Sequence, residues 1–181
     1  MAALEPRFRE EHVAIIGSFI RHHLAESGAR GIVLGMSGGV DSSLVATLCV
    51  GSVGPKKVAG VWAGEGPAKG NDFRDAADMA KSLGIELRTY DIAPLVSTFQ
   101  RSLRMKKANR TAIGNVKARA RMVLLYSIAN TEGRLVMGTG NKSELAVGYF
   151  TKFGDGGVDF LPIGDLYKTQ VREMASFLGV P

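Results

Sequence analysis

Glycines, two serines and an aspartate stand together in the run Gly35-Met36-Ser37-Gly38-Gly39-Val40-Asp41-Ser42, an order suited to holding phosphate. An apolar run, Gly31 to Met36, leads in with strand character, and an apolar-periodic run, Leu44 to Val50, leads out with helix character. Paired glycines let the backbone turn tightly and come close to a ligand. A helix opening there aims its unpaired N–H groups and positive dipole end at an anion. Ser37, Ser42 and Ser43 add hydroxyl donors, and Asp41 is placed to hold a cation. No Lys follows the glycines, so this is not the common P-loop. The pattern suggests a pyrophosphate held by backbone, hydroxyls and a metal ion. A tight connection with no ligand is the plainer alternative, but SGGxDS is more restrictive than a lone GxGxxG and has the right flanks.

The elements that must position this turn alternate. Arg7 to Ser27 reads as an amphipathic helix with Val13, Ile16, Phe19, Ile20 and Leu24 on one face, and Gly28 as its C-cap. After the glycine turn, Gly51 to Pro55 reads as a loop, Lys57 to Trp62 as a second strand, and Ala63 to Asn71 as a glycine-rich loop. A helix follows from Asp72 to Leu83, stopped by Gly84, then a third strand from Ile85 to Ile92. Pro94 to Met105 is a weaker helix, Lys106 to Ile113 a basic loop, and Gly114 to Asn130 a strong helix. Leu135 to Met137 is a short strand running into Gly138-Thr139-Gly140-Asn141-Lys142-Ser143-Glu144, a second glycine turn that opens a helix. Tyr149 to Leu166 is irregular, and Tyr167 to Leu178 closes with a helix. Such alternation predicts an α/β fold: a doubly wound parallel sheet with helices on both faces, Rossmann-like, in a single domain spanning residues 1–181. Residues 1–28 form its N-terminal helix and residues 31–181 its nucleotide-binding core. Ligands of such sheets sit at the carboxyl ends of the strands, where strand order reverses, so both glycine turns should line one crevice.

With 45% hydrophobic and 22% charged residues the composition is that of an ordinary globular protein, with no apolar run near bilayer length and no signal-peptide core. A cytoplasmic location is expected, with no membrane partner. The single cysteine, Cys49, excludes a disulfide framework and a Cys-rich metal site, and its neighbours make it a core residue. His12, His22 and His23 read as solvated or satisfied, not as ligands. The net charge of +6 owes much to the stretch from Arg101 to Arg121, which has eight Lys or Arg and no acid. It has no aromatic residue on which bases could stack, so phosphorylated small molecules are favoured over nucleic acid.

Four motifs now stand in order: Ser37 to Ser42; Gly114-Asn115-Val116-Lys117-Ala118-Arg119-Ala120-Arg121; Gly138 to Glu144; and Tyr149-Phe150-Thr151-Lys152-Phe153-Gly154-Asp155-Gly156-Gly157-Val158-Asp159. Together they closely resemble the ammonia-dependent NAD synthetases of the ATP-pyrophosphatase (PP-loop) family, from about Gly31 to the end of the chain. The resemblance implies an adenine nucleotide alpha hydrolase-like fold. It also implies a ligase that adenylates the nicotinate carboxylate of deamido-NAD with ATP, then lets ammonia displace AMP to give NAD. It assigns Gly35, Met36, Ser37, Gly38, Gly39, Val40, Asp41 and Ser42 to ATP, together with Thr139 and Lys168. Asp41 and Glu144 become ligands of Mg²⁺, Arg119, Lys152 and Asp159 contacts of deamido-NAD, and the assembly a homodimer. No covalent nucleophile is needed. Taken singly, each has a plainer role: Glu144 a first-turn helix acid, Arg119 and Lys168 solvated cations, Asp155 and Asp159 turn residues.

Two departures from the family pattern stand out. Family members continue beyond Val180-Pro181 with a segment carrying a second phosphate-contacting loop, so a C-terminal segment is expected to be missing here. Ala63 to Pro67 also lacks the Met-Pro or Leu-Pro dipeptide usual after the second strand, which bears on adenine recognition. There is no glutaminase domain in the chain, so free ammonia is the expected nitrogen donor. Two rivals remain: another AMP-forming or tRNA-modifying enzyme with the same loop, and an inactive nucleotide-binding or dimerisation module. A tRNA thiolase would need a reactive Cys pair or cluster ligands, against which the lone Cys49 speaks.

Overall fold

Two strand-forming runs, Gly31–Gly35 and Val58–Gly64, are short and apolar on both faces, so they can be satisfied only as the middle layer of three. The structure, a computed structural model describing residues 6–104 and 109–181, has that arrangement. Strands β1 (Gly31–Gly35), β2 (Val58–Gly64), β3 (Glu86–Asp91) and β4 (Arg134–Met137) form one parallel sheet in the order β3-β2-β1-β4. Ile32 pairs with Val58 on one side and Leu135 on the other, which fixes the register of the two central neighbours. Because successive strand residues face opposite sides, Ile32 and Leu34 point into one core and Val33 into the other.

The larger core is built by α1 (Glu11–Ser27), α2 (Val40–Val53), α3 (Asn71–Leu83) and α7 (Lys168–Phe177). The smaller is built by α5 (Arg110–Glu132), whose Met122, Leu125, Ile128 and Ala129 cover Val33, Val61 and Val136. Helix α4 (Ala93–Ser102) leans on α5 through Val96, and α6 (Lys142–Val147) is short. The doubly wound sheet expected from the alternation is therefore present. Cys49 lies fully inside the larger core, and burial pushes its thiol up to about 12, which leaves it protonated and inert.

Several boundaries differ from expectation, each for a local reason. Helix α1 begins at Glu11, not Arg7, because α7 takes the preceding segment: the Phe8 N–H donates to Glu173 Oε2 at 2.8 Å and its ring meets Phe177. Helix α2 continues through Gly51 to Val53, so the loop expected from Gly51 shrinks to Gly54 and a single 3₁₀ turn at Pro55–Lys57. Helix α5 starts at Arg110, inside the expected basic loop, because the Asn109 side chain accepts from Ala112 N at 2.8 Å and caps it. Gly114, which marked the expected start, is helical; a 23-residue helix tolerates its cost of about 1 kcal/mol. The rest of that loop, residues 106–108, and the expected end of the preceding helix at 105 lie outside the described residues, as do residues 1–5.

The irregular segment after α6 is docked on the sheet. Asp159 N donates to Val136 O, Gly138 N donates to Phe160 O, and Met137 and Phe160 form a one-residue parallel bridge beside β4. The segment thus lies against the strand that feeds the second glycine turn.

Candidate active site

The chain leaves β1 toward β2 and β3 on one side, then returns to place β4 on the other, so strand order reverses between β1 and β4. Both glycine turns leave the sheet there, as the alternation predicts. Between them opens a crevice of about 550 Å³ lined by Gly35, Met36 and Ser37 from the first turn and by Gly138 and Thr139 from the second.

The first turn leaves backbone donors unpaired at the start of α2. Gly39 is the N-cap of α2 and provides no side-chain cap, so the first amides of the helix keep their donor capacity. Ser37 and Ser42 hydroxyls lie 3.2 Å apart, Ser42 Oγ donates to Gly39 O at 2.9 Å, and Gly39 N donates to Ser37 Oγ at 3.3 Å. These bonds hold the loop closed on itself with its hydroxyls gathered. Asp41 sits one step later than expected, in the first turn of the helix instead of in the glycine turn.

Asp41 is the meeting point of the site. Its Oδ2 takes the ammonium of Lys168 in an ion pair, and its Oδ1 accepts from Asn141 Nδ2 at 3.2 Å. Asn141 is fully buried and caps α6: its Oδ1 accepts from Glu144 N, and Glu144 Oε2 accepts from Asn141 N, both at 3.1 Å. Ser143 Oγ accepts from Lys168 N at 3.0 Å. One compact group therefore gathers Asp41, Glu144 and Lys168, three residues singled out by the resemblance, from three separate helices.

Arg119, Lys152 and Asp159 stand in two further places. Arg119 Nε donates to the Lys152 carbonyl at 3.2 Å, and both side chains are exposed. Asp159 accepts from Val136 N at 2.7 Å and from the Tyr126 hydroxyl at 2.8 Å. Burial, and then that bond to Asp159, push the Tyr126 phenol up to about 12. Among the described residues no hydrogen bond or ion pair joins Asp159 to Arg119 or Lys152.

Two residues of this region, one on the crevice wall and one buried beside Asp41, escaped the sequence. Arg121 lines the wall, donates from Nε to Ala63 O at 2.8 Å, and is pulled below its ordinary pKa by burial, against the opposing pull of Glu65 and Asp155. Nearby, Lys117 pairs with Glu65 at 2.8 Å. The signal for Arg121 was its helical spacing from Ala118 and Leu125, which share the wall. Asn141 had a signal too, since Asn followed three residues later by Glu is a capping-box pattern. The histidines do gather in part: His22 Nε2 and His23 Nδ1 lie 3.3 and 3.6 Å from Glu26 Oε2 at the end of α1, and His23 stacks on Phe160.

The family model described as NAD synthase matches residues 12–181. The NH(3)-dependent NAD(+) synthetase of Archaeoglobus fulgidus is 51% identical over 173 residues, 95% of this chain and 69% of that protein. That of Pyrobaculum aerophilum is 47% identical over 94% of this chain and 64% of its own length. The chain thus spans about two thirds of the length of these relatives. Among solved structures, the NH3-dependent NAD synthetase of Campylobacter jejuni superposes with a TM-score of 0.89 at 34% identity, over 94% of this chain and 73% of that one. An NMN synthetase from Francisella tularensis gives the same TM-score at 35% identity, over 95% of this chain and 71% of that one. A match that runs through both glycine turns and the docked segment, at identities near one half, makes this chain a member of the NAD synthase family.

Proposed function

We propose that the chain carries the catalytic core of an ammonia-dependent NAD synthetase, a C–N bond-forming ligase in the last step of NAD formation. The observation that carries this is the group of Asp41, Glu144 and Lys168 at the reversal of strand order, in a chain about half identical to synthetases of that name. A nicotinate carboxylate oxygen of deamido-NAD would attack the α-phosphorus of ATP, and pyrophosphate would leave from the first glycine turn. Ammonia would then attack the acyl carbon, AMP would depart with its oxygen, and NAD would form. No residue need become covalently attached. Alignment and charge neutralisation account for the catalysis.

Residues Gly35 to Ser42 and Thr139 would hold ATP, the uncapped amides of α2 facing the departing pyrophosphate. Asp41 and Glu144 offer oxygen donors only, and Asp41 already meets a cation, the Lys168 ammonium, so the set fits Mg²⁺. Bound there, Mg²⁺ would neutralise phosphate charge. Lys168 would swing its ammonium from Asp41 to the phosphates. Arg119, Lys152 and Asp159 would contact deamido-NAD, Asp159 while tied to β4. The chemistry belongs in the cytoplasm, where ATP is made; among the described residues no helix is long and apolar enough to cross a membrane.

With ATP, Mg²⁺, deamido-NAD and ammonium, the purified chain is expected to release NAD, AMP and pyrophosphate in equal amounts. ATP binding without NAD or AMP would favour a nucleotide-binding module instead. The structural likeness to an NMN synthetase supplies a second reading, amidation of a mononucleotide, so nicotinate mononucleotide belongs in the assay. A higher kcat/KM for it than for deamido-NAD would reverse the assignment.

A homodimer would suit the exposed apolar side chains on the α4–α5 side, where Leu95, Phe99 and Leu103 stand out from α4 and its C-terminus and Val123 from α5. Sedimentation at micromolar concentration is expected to give twice the 19.3 kDa chain mass; a monomer there would overturn the dimer.

A further inference from the structure

An N-cap residue ordinarily sits at the surface, where its side chain serves one helix and meets water. Asn141 departs from that on both counts. It is fully buried, and its side chain has two arms with separate duties. The carbonyl arm accepts from Glu144 N at 3.1 Å and caps α6. That bond fixes the orientation of the amide, because only an oxygen can accept from the backbone N–H. The amino arm must then face the other way, and there it donates to Asp41 Oδ1 at 3.2 Å, across a sequence separation of 100 residues. The Asn141 backbone completes the link by donating to Glu144 Oε2 at 3.1 Å. Asp41 comes from the helix after β1 and Glu144 from the helix after β4. A single buried residue thus touches both carboxylates directly.

We propose that Asn141 is a positioning residue for the divalent cation that accompanies ATP: it sets the separation and orientation of the Asp41 and Glu144 carboxylates. This rests on the assignment of those two carboxylates to Mg²⁺. A hard cation with near-octahedral demands binds well only where its carboxylates are already in place. Groups that hydrogen-bond to ligands from behind change metal affinity by about 10- to 100-fold when removed. Asn141 also orients Asp41 against Lys168, since Oδ1 is held by the amide while Oδ2 meets the ammonium.

The two arms can be separated by substitution. Asn141→Ser keeps an oxygen that caps α6 but loses the arm that reaches Asp41; Asn141→Ala loses both. Metal binding is read with Mn²⁺ and α,β-methylene-ATP by electron paramagnetic resonance, which needs no turnover. Asn141→Ser is expected to keep its melting temperature within a few degrees of the parent. The Mn²⁺ concentration for half-saturation should rise by about tenfold, and in the NAD-forming assay the Mg²⁺ requirement should rise by a similar factor. A cap with no positioning role would lower the melting temperature of Asn141→Ala and leave the Mn²⁺ titration of Asn141→Ser at the parent value, which overturns the proposal. If Asn141→Ser does not fold, Asn141→Thr, nearer in volume and also able to cap, takes its place. Parent protein that forms no NAD while the Mn²⁺ shift persists would sink the synthetase reading and leave the role of Asn141 standing. Parent protein that forms NAD while both variants titrate like the parent would do the reverse.

Discussion

Asp41→Asn is expected to lower Mg²⁺-dependent NAD formation by about a hundredfold or more, with little loss of stability. The substitution keeps the shape of the side chain and one carbonyl oxygen, so the Asn141 amide still has its acceptor. What disappears is the negative charge, and with it the attraction for both a divalent cation and the Lys168 ammonium. Both partners of that ion pair are partly exposed, so its loss should cost at most about 1 kcal/mol of folding free energy. Glu144→Gln is the companion change. Its remaining oxygen can still accept from Asn141 N, which preserves the capping box while removing the charge. Thermal melts and Mg²⁺ titrations of the two variants separate the effects: melting temperatures near the parent value, rates far below it. Parent rates in both would end the assignment of these carboxylates to the metal.

How much of this was legible in the sequence depends on how local each feature is. The first glycine turn and the alternation around it are local, and the doubly wound sheet, the crevice at the strand reversal and the buried Cys49 all stand as the pattern indicated. The site group is not local. Asp41, Asn141 and Lys168 are separated by 100 and 127 positions and meet only because β4 pairs with β1, a neighbour relation that hydrophobic periodicity does not encode. The resemblance connected Asp41 with Glu144 in advance, but the residue between them, Asn141, was no more than part of a motif.

The misread boundaries have the same origin. Gly114 looked like a helix start because a helix-interior glycine is unfavourable in isolation, yet Asn109 and the packing of α5 on β1 and β4 outweigh it. Asp159 offered a choice between substrate contact and turn residue. The structure adds a third duty, since its carboxylate fastens the irregular segment to Val136 and Tyr126. Only tertiary contacts could reveal that, because neither partner lies within twenty residues.

Gly38→Ala is expected to be the most damaging single-methyl change in the chain, costing about 3 kcal/mol of stability and most of the activity. Gly38 has φ +85°, a conformation L side chains rarely adopt, and an added Cβ would lie 2.2 Å from the Asp72 carbonyl oxygen. That oxygen belongs to the backbone of the first turn of α3 and cannot rotate aside as a side chain would. Either α3 shifts or the first glycine turn does, and both Ser37 and Asp72 line the crevice. Gly66→Ala is the control. Gly66 has nearly the same φ, +86°, but nothing lies within 4 Å of the added methyl, so it carries the conformational strain alone, about 1 kcal/mol. Denaturant unfolding of the two variants should therefore differ by about 2 kcal/mol, the part owed to contact between the loop and α3. In addition, ATP KM should rise for Gly38→Ala. Equal destabilisation by the two would mean that α3 yields without resistance, and the first glycine turn would then owe its shape to its own hydrogen bonds instead of to the helix behind it.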